Sequence, residues 1–221
     1  MTRYASRSRI GGVILAGGLS SRMNFLDKPL IPIANRSLIE YVIANAIPQL
    51  SRLVISVNRN LAKYTRYDLP LVEDVDNKFS GPLVGIYSAM NWYKKQNISV
   101  DYLACFPADV PIFPDDIVSR LKQALEKKEQ AENLTNRKST NVAWCQTGNQ
   151  IQPLFSLWSL ELLSTVEQSI KEGICGPKFF FQHHPSLKVQ LPAPVDGSFL
   201  NINTPEDLAT AEMLLTKKCR D

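Results

Sequence analysis

The sequence predicts an α/β fold of three layers, in which helices cover both faces of a mainly parallel sheet and one antiparallel hairpin element is added to it. Three observations lead there. Residues 13–16 are wholly apolar, the pattern of a strand covered on both faces rather than of one facing water. From that run to Leu125, strand-like and helix-like segments alternate, as βαβ crossovers do. Further on, Gly148 and Asn149 stand between two apolar runs, which is a hairpin signal and would graft antiparallel strands onto the sheet.

Each element has its own warrant. The first strand ends in a glycine-containing loop, followed by the short extended piece "PLIPI". In "SLIEYVIANAI", Ser37 and Glu40 form a capping box while Leu38, Tyr41, Val42 and Ala46 fall on one helical face. Strand-like segments are expected at 52–58, 69–74 and 101–106, with a helix over "PLVGIYSAMNWYKK" between the last two. A further helix starts at Asp115, carrying Ile117, Val118, Leu121 and Leu125 at helical spacing. The polar tract 127–141 reads as a loop. After the hairpin come a helix from about Leu160 to Lys171, a short "GPKFFFQ" segment and the strand-like "LKVQL". The last helix starts at Thr204, with Pro205 in its first turn and Glu206 and Asp207 beside the positive end of its dipole. With no repeat and no clear linker, residues 10–216 read as a single domain, and 1–9 and 217–221 as flexible tails.

Composition narrows the function. The chain has 221 residues, 44% hydrophobic, enough to bury a sizeable core. A net charge of +4 from 25 basic and 21 acidic residues is scattered along the chain, without the basic block or stripe that nucleic acid requires. Cys105, Cys145, Cys175 and Cys219 lie far apart and form no metal-ligand spacing, which fits a reducing, cytoplasmic compartment. No apolar run approaches the roughly 20 residues of a bilayer span. The Arg- and Ser-rich start is read as a frayed tail rather than a transit peptide. His183 and His184 precede a proline in a polar stretch and are read as surface loop rather than acid or base.

The chemistry concentrates where the first strand ends. From Gly12 the spacing imitates a P-loop, then fails, because Gly18 and Leu19 stand where Lys and Ser or Thr are needed. What remains is Leu15-Ala16-Gly17-Gly18, whose missing side chains let backbone N–H groups approach a base or phosphates, followed by Arg22 and Lys28. Arg22 can fork onto phosphate oxygens and Lys28 can follow a shifting charge. The plain alternative is a glycine turn with two solvated cations. Against it, Asp74 and Asp109 each stand just past a strand, at the sheet edge where such loops emerge and where sites of parallel sheets lie. Mg²⁺ takes one or two carboxylates and completes its shell with water and phosphate. Asp109 is the stronger candidate, stiffened by Pro107 and Pro111.

The segments "ILAGGLSSRM…DKPL", "ISVNRN", "LVED", "GPLVGIYSAM", "FPADVPIFPDDIVSRL" and "FLNINTPEDL", in order from residue 14 to residue 215, resemble the molybdenum cofactor guanylyltransferases. These are cytoplasmic prokaryotic enzymes of the nucleotidyltransferase superfamily. The glycine loop with Asp-Lys marks the superfamily, and "VNRN", "GPLVG" and "NINTPEDL" narrow the likeness. The resemblance implies a Rossmann-like nucleotidyltransferase fold and Mg²⁺-dependent transfer of GMP from GTP to the terminal phosphate of molybdenum-molybdopterin, with release of pyrophosphate. It further implies that Leu15, Ala16 and Gly17 shape the nucleotide pocket, that Lys28 contacts the GTP phosphates, and that Asn58 and Asp74 hold the nucleoside. Asp109 would carry Mg²⁺. Gly81 and Gly85 would bring backbone near the nucleotide, and Asn201 and Asn203 would lie towards the molybdopterin, a pair that reads equally as turn and cap residues. Cofactor-biosynthesis proteins and apo-molybdoenzymes are the implied protein partners.

The mechanism implied is positioning plus electrostatics. A phosphate nucleophile needs no general base, so Arg22, Lys28 and the metal on Asp109 would serve to bring two polyanions together. Family members usually read Arg-Met-Gly-Gly-x-Asp-Lys, whereas Asn24 and Phe25 follow Met23 here. That departure keeps a catalytically silent nucleotide-binding protein as an alternative, beside a cytidylyltransferase or a sugar-nucleotide pyrophosphorylase of the same superfamily. Glycine at position 17 favours guanine, since the cytidylyl relatives typically carry alanine there.

Overall fold

The computed structural model describes residues 9–17, 27–75, 80–133, 140–192 and 197–218. Arg22, Gly18 and the Asn24-Phe25 departure lie outside the described residues. In chain order the elements are β1 (Ile10–Leu15), β2 (Pro32–Ile33), β3 (Arg36–Ser37), α1 (Leu38–Ala46), β4 (Arg52–Ser56), α2 (Leu61–Tyr64), β5 (Leu71–Val72) and α3 (Pro82–Lys95). They continue with β6 (Tyr102–Pro107), α4 (Ile117–Asn133), β7 (Val142–Thr147), β8 (Gln150–Ser159), α5 (Leu163–Lys171), α6 (Pro177–His183), β9 (Leu187–Leu191) and α7 (Pro205–Lys218). The main sheet has the order β5-β4-β1-β6-β8-β7-β9, while β2 and β3 form a small antiparallel pair apart from it. Strands β5, β4, β1 and β6 are parallel neighbours. β8 runs antiparallel to both β6 and β7, and β7 is parallel to β9, so β8 alone runs against the other six.

The three layers follow from alternation within the strands. On β1, Ile10 and Ile14 enter one core while Val13 enters the other; on β6, Ala104 and Phe106 part in the same way from Leu103 and Cys105. The first core is closed by α1 and α4 through Ile39, Val42, Ile117, Leu121 and Leu125. The second is closed by α3, α5 and α6 through Leu83, Ile86, Val166 and Phe180. A third, smaller cluster packs Ala211 and Leu215 of α7 against Ile33 and Leu38. This third cluster brings the C-terminal segment back beside β2 and the start of α1.

Most expected elements are present; α2 and the β2–β3 pair are additions to them, and four segments differ from the expectation. α4 continues through Asn133, so the first half of the tract read as a loop is helical. Its Lys, Glu, Gln and Ala residues are good helix formers, and the i,i+4 pairs Lys122–Glu126 (2.7 Å) and Lys128–Glu132 (3.5 Å) support the turns that lack an apolar stripe. "GPKFFFQ" is largely α6, with Pro177 in its first turn. The strand expected at 69–74 is reduced to Leu71–Val72. Nor are the histidines free loop residues: His183 ends α6, while His184 stacks on Phe180 at 4.2 Å and shares a 2.9 Å hydrogen bond with Ser169. The capping box holds, since the Ser37 N–H donates to Glu40 at 2.6 Å. Among the described residues no helix is long and apolar enough to cross a membrane.

Candidate active site

Every parallel strand of the central sheet ends on the same edge, and the candidate residues follow those ends. Leu15, Ala16 and Gly17 leave β1, Asn58 follows β4, Asp74 follows β5 and Asp109 follows β6. All of them, with Lys28, Gly81, Gly85 and Asn203, line one cleft of about 470 Å³. The chain leaving β1 is held from both sides: the Ala16 N–H donates to the Ser56 carbonyl at 2.9 Å, and the Ala108 N–H to the Leu15 carbonyl at 3.2 Å. Leu15 and Ala16 are therefore fixed through the backbone to the segments that carry Asp109 and Asn58.

One end of the cleft is a neutral amide facing a carboxylate. Asn58 Nδ2 donates to Asp74 Oδ2 at 2.7 Å, and Asn58 Oδ1 accepts the Asp74 backbone N–H at 2.8 Å. Burial pushes the Asp74 carboxyl above its ordinary value, opposed in part by the hydrogen bond from Asn58. Such a carboxylate can accept paired N–H or O–H donors. Gly17 lies directly above, where an added Cβ would sit 3.2 Å from Asn58 Nδ2.

The other end is built around a cation. Lys28 projects from the 3-10 turn Lys28–Leu30, and its Nζ donates to Asp109 Oδ2 at 2.6 Å, Asn203 Oδ1 at 2.8 Å and Asn201 Oδ1 at 3.4 Å. Asn201 and Asn203 arrive there because the Ile202 N–H donates to the Asp109 carbonyl at 3.1 Å. Their side chains do not cap α7. That duty falls to Thr204 and Asp207, where the Thr204 N–H donates to Asp207 Oδ2 at 2.9 Å and the Asp207 N–H to Thr204 Oγ1 at 3.2 Å. Hydrogen bonds from the Asn203 and Thr204 N–H groups hold the Asp207 carboxyl below its ordinary value.

The wall between these ends is the start of α3. Gly81 caps the helix, and the Leu83 N–H donates to the Cys175 carbonyl at 3.0 Å. Gly85 lines the cleft, but its missing side chain also serves packing: a Cβ there would fall 2.8 Å from Ser56 Oγ and 3.0 Å from Leu15 Cδ2. Glycine at 85 thus lets α3 lie close against β1 and β4. Two further lining residues, Ser56 and Leu154, were not singled out from the sequence. Ser56 was within reach of the pattern, because it is a polar residue ending an apolar strand two positions before Asn58. Leu154 is brought in only by the antiparallel run of β8.

Asp109, Asn201 and Asn203 turn hard oxygens to the Lys28 ammonium, and Asp109 brings its second carboxylate oxygen, Oδ1, to the same end of the cleft. Among the described residues no three His, Cys, Asp or Glu side chains stand together as an all-protein metal cage. A single carboxylate flanked by amide oxygens suits Mg²⁺, which keeps waters and takes substrate phosphate oxygens, better than it suits zinc or a tightly caged calcium.

Residues 12–187 match the MobA-like NTP transferase domain model. A molybdenum cofactor guanylyltransferase of Rhodopseudomonas palustris is 32% identical over 209 residues, spanning 94% of this chain and 95% of its own length. One of Yersinia pestis is 33% identical over 198 residues, spanning 90% and 92%. Among solved structures, molybdopterin-guanine dinucleotide biosynthesis protein A of Archaeoglobus fulgidus superposes with a TM-score of 0.69 at 20% identity, covering 94% of this chain and 99% of its own. With the sheet order, the edge cleft and this likeness along nearly the whole length of both relatives, the chain belongs to the MobA-like NTP transferase family.

Proposed function

We propose that the chain is a molybdenum cofactor guanylyltransferase, moving GMP from GTP to the terminal phosphate of molybdenum-molybdopterin. The observation that carries this reading is that a single cleft joins the Asn58–Asp74 pair at one end to the Lys28–Asp109–Asn203 cluster at the other. Leu15, Ala16 and Gly17 line the space between. The relatives named for this activity support it along nearly their whole length.

In this reading the guanosine lies against the glycine turn and the Asn58–Asp74 pair, with the triphosphate running towards Lys28. A molybdopterin phosphate oxygen attacks the α-phosphorus, a new P–O bond forms, and the bond to the β-phosphate bridging oxygen breaks with its electron pair leaving on pyrophosphate. No proton has to be removed from the nucleophile. The barrier is the approach of two polyanions in line, which makes positioning and charge the protein's task. The Lys28 ammonium, fixed by three oxygens, meets the charge that grows on the departing pyrophosphate. Asp109 is the residue that would hold Mg²⁺, through the carboxylate oxygen that does not accept from Lys28, and the ion would neutralise phosphate charge there. Arg22 is assigned to the phosphates as well. Asn203 lines the end of the cleft where the acceptor would enter, and Asn201 adjoins it through Lys28.

Cofactor-biosynthesis proteins and apo-molybdoenzymes are the partners this role implies, and the cytoplasm its compartment. The described thiols suit a reducing setting: Cys105, Cys145 and Cys175 are free, and burial pushes the Cys145 thiol up to about 12. The direct test is pyrophosphate release by the purified protein given molybdenum-molybdopterin and either GTP or CTP, with Mg²⁺ or with a chelator. Release with GTP that requires both acceptor and Mg²⁺ is expected. Equal release with CTP would reassign the nucleotide, and GTP binding without release would make the protein a silent binder.

A further inference from the structure

A lysine on a single 3-10 turn has a flexible four-carbon stem, and its root must be fixed if three oxygens are to meet its ammonium. Its neighbour Asp27 faces α2 instead of Asp109. Asp27 Oδ1 accepts the Tyr64 hydroxyl at 2.9 Å, Asp27 Oδ2 accepts Asn60 Nδ2 at 3.0 Å, and the Asp27 carbonyl accepts the Leu30 N–H at 2.8 Å, closing the turn. Tyr64 is wholly buried in the core on the α1 and α4 face, so packing sets where its hydroxyl lies. Burial, reinforced by Asp27, pushes that phenol far above its ordinary range, which keeps it a donor throughout the neutral region. Asn60 takes a left-handed φ of +55° at the start of α2, only two residues after Asn58. Residues 58–60 therefore present one asparagine to Asp74 and the next to Asp27.

We infer that Asp27, held by Tyr64 and Asn60, is the positioning residue for Lys28, a clasp that ties the cation to the segment carrying the nucleoside contact. The inference rests on the proposed transfer reaction. A loosened clasp leaves the charge of Lys28 in the cleft but spreads its positions, so ground-state attraction for GTP changes little while the better-defined transition state loses support.

The test is a double-mutant cycle between Tyr64→Phe and Lys28→Ala, read as kcat and KM for GTP in the pyrophosphate-release assay. Tyr64→Phe alone should lower kcat by about tenfold with KM within about twofold, and should have no further effect on kcat once Lys28 is alanine. Asn60→Gly, which keeps the left-handed backbone and removes only the exposed amide, should behave likewise and serves as the test if Tyr64→Phe fails to fold. Asp27→Asn, which can still accept from Tyr64, should retain more activity than Asp27→Ala. An active wild type in which the losses of Tyr64→Phe and Lys28→Ala, or of Asn60→Gly and Lys28→Ala, simply add would overturn the clasp alone. An inactive wild type would overturn the transfer reading and the clasp with it.

Discussion

At the scale of the residue, the two carboxylates of the cleft differ in what they do to the empty protein. Among the described residues Asp109 is matched by a lysine at 2.6 Å, whereas Asp74 has an amide and a half-buried position. A carboxyl whose folded pKa is raised binds its proton more tightly folded than unfolded. Its cost to stability therefore stands in full above the folded pKa and fades as pH falls towards the unfolded value. Asp74→Asn should accordingly raise the melting temperature at pH 7, by an amount that shrinks towards pH 4. It should also raise KM for GTP by roughly tenfold or more, the worth of a hydrogen bond to a charged group. A lower melting temperature at pH 7 would mean that the pair with Asn58 outweighs the burial. Lys28→Ala should lower kcat by on the order of a hundredfold or more, as removal of a preorganised charge at a leaving group does, and an unchanged kcat would reduce Lys28 to a binding residue.

At the scale of the element, α3 sets the width of the cleft through one missing methyl group. Gly85→Ala would push against Ser56 Oγ at 2.8 Å and Leu15 Cδ2 at 3.0 Å, and should cost about 1–3 kcal/mol in urea unfolding as overpacking does. Adding Ser56→Ala removes the closer atom and leaves the Ser56 Cβ position at an ordinary 3.7 Å, so the double variant should regain most of the loss. Additive losses would show that the strain lies with Leu15. The hairpin offers a contrasting case. Gly148 has a φ of +54° in the two-residue turn between β7 and β8, with no atom of the described residues within 4 Å of its missing Cβ. Gly148→Ala should cost about 1 kcal/mol through backbone strain alone and leave kcat untouched.

These two elements also show what a sequence discloses. α3 was legible to the residue because Gly81-Pro82 punctuates its start, and the hairpin because Gly148-Asn149 interrupts two apolar runs. The second half of α4 was not, since its turns rest on charge pairs such as Lys128–Glu132 with no apolar period to betray a helix. Of the cleft, the residues that end strands could be read from their place after apolar runs. Leu154 could not, because β8 reaches the cleft through its pairing with β6, nor could Tyr64, which meets Asp27 across 37 positions of chain. The end of β1 owes its hold to the Ser56 carbonyl and to the Ala108 N–H just past β6, contacts that only the folded sheet makes.

At the scale of the whole molecule, the question is whether the hairpin half and the nucleotide half are one folding unit. The core beneath α1 and α4 is continuous across the sheet, from Val57 and Ile55 through Ile14 and Phe106 to Phe155, Leu157 and Ala143. On the other face Trp158 of β8 belongs to the same cluster as Val54 of β4. Cores shared on both faces leave no plane along which the halves could part without exposing apolar surface from each, so residues 10–216 should unfold as a single cooperative unit. The three tryptophans make this measurable, because Trp92 packs on Tyr93, Trp144 on Phe181 and Trp158 on Phe180, all on the face of α3, α5 and α6. Thermal unfolding followed by tryptophan fluorescence should coincide with unfolding followed by far-UV circular dichroism, which reports α1 and α4 as well. Mg²⁺·GTP at 100 times its Kd should move both curves together by roughly 5–10 °C, the effect of about 2.7 kcal/mol on a chain of this size. Two separated transitions, or a curve of which Mg²⁺·GTP moves one step and leaves the other, would show that the hairpin half unfolds on its own and that the cleft draws its stability from β1, β4 and β6 alone.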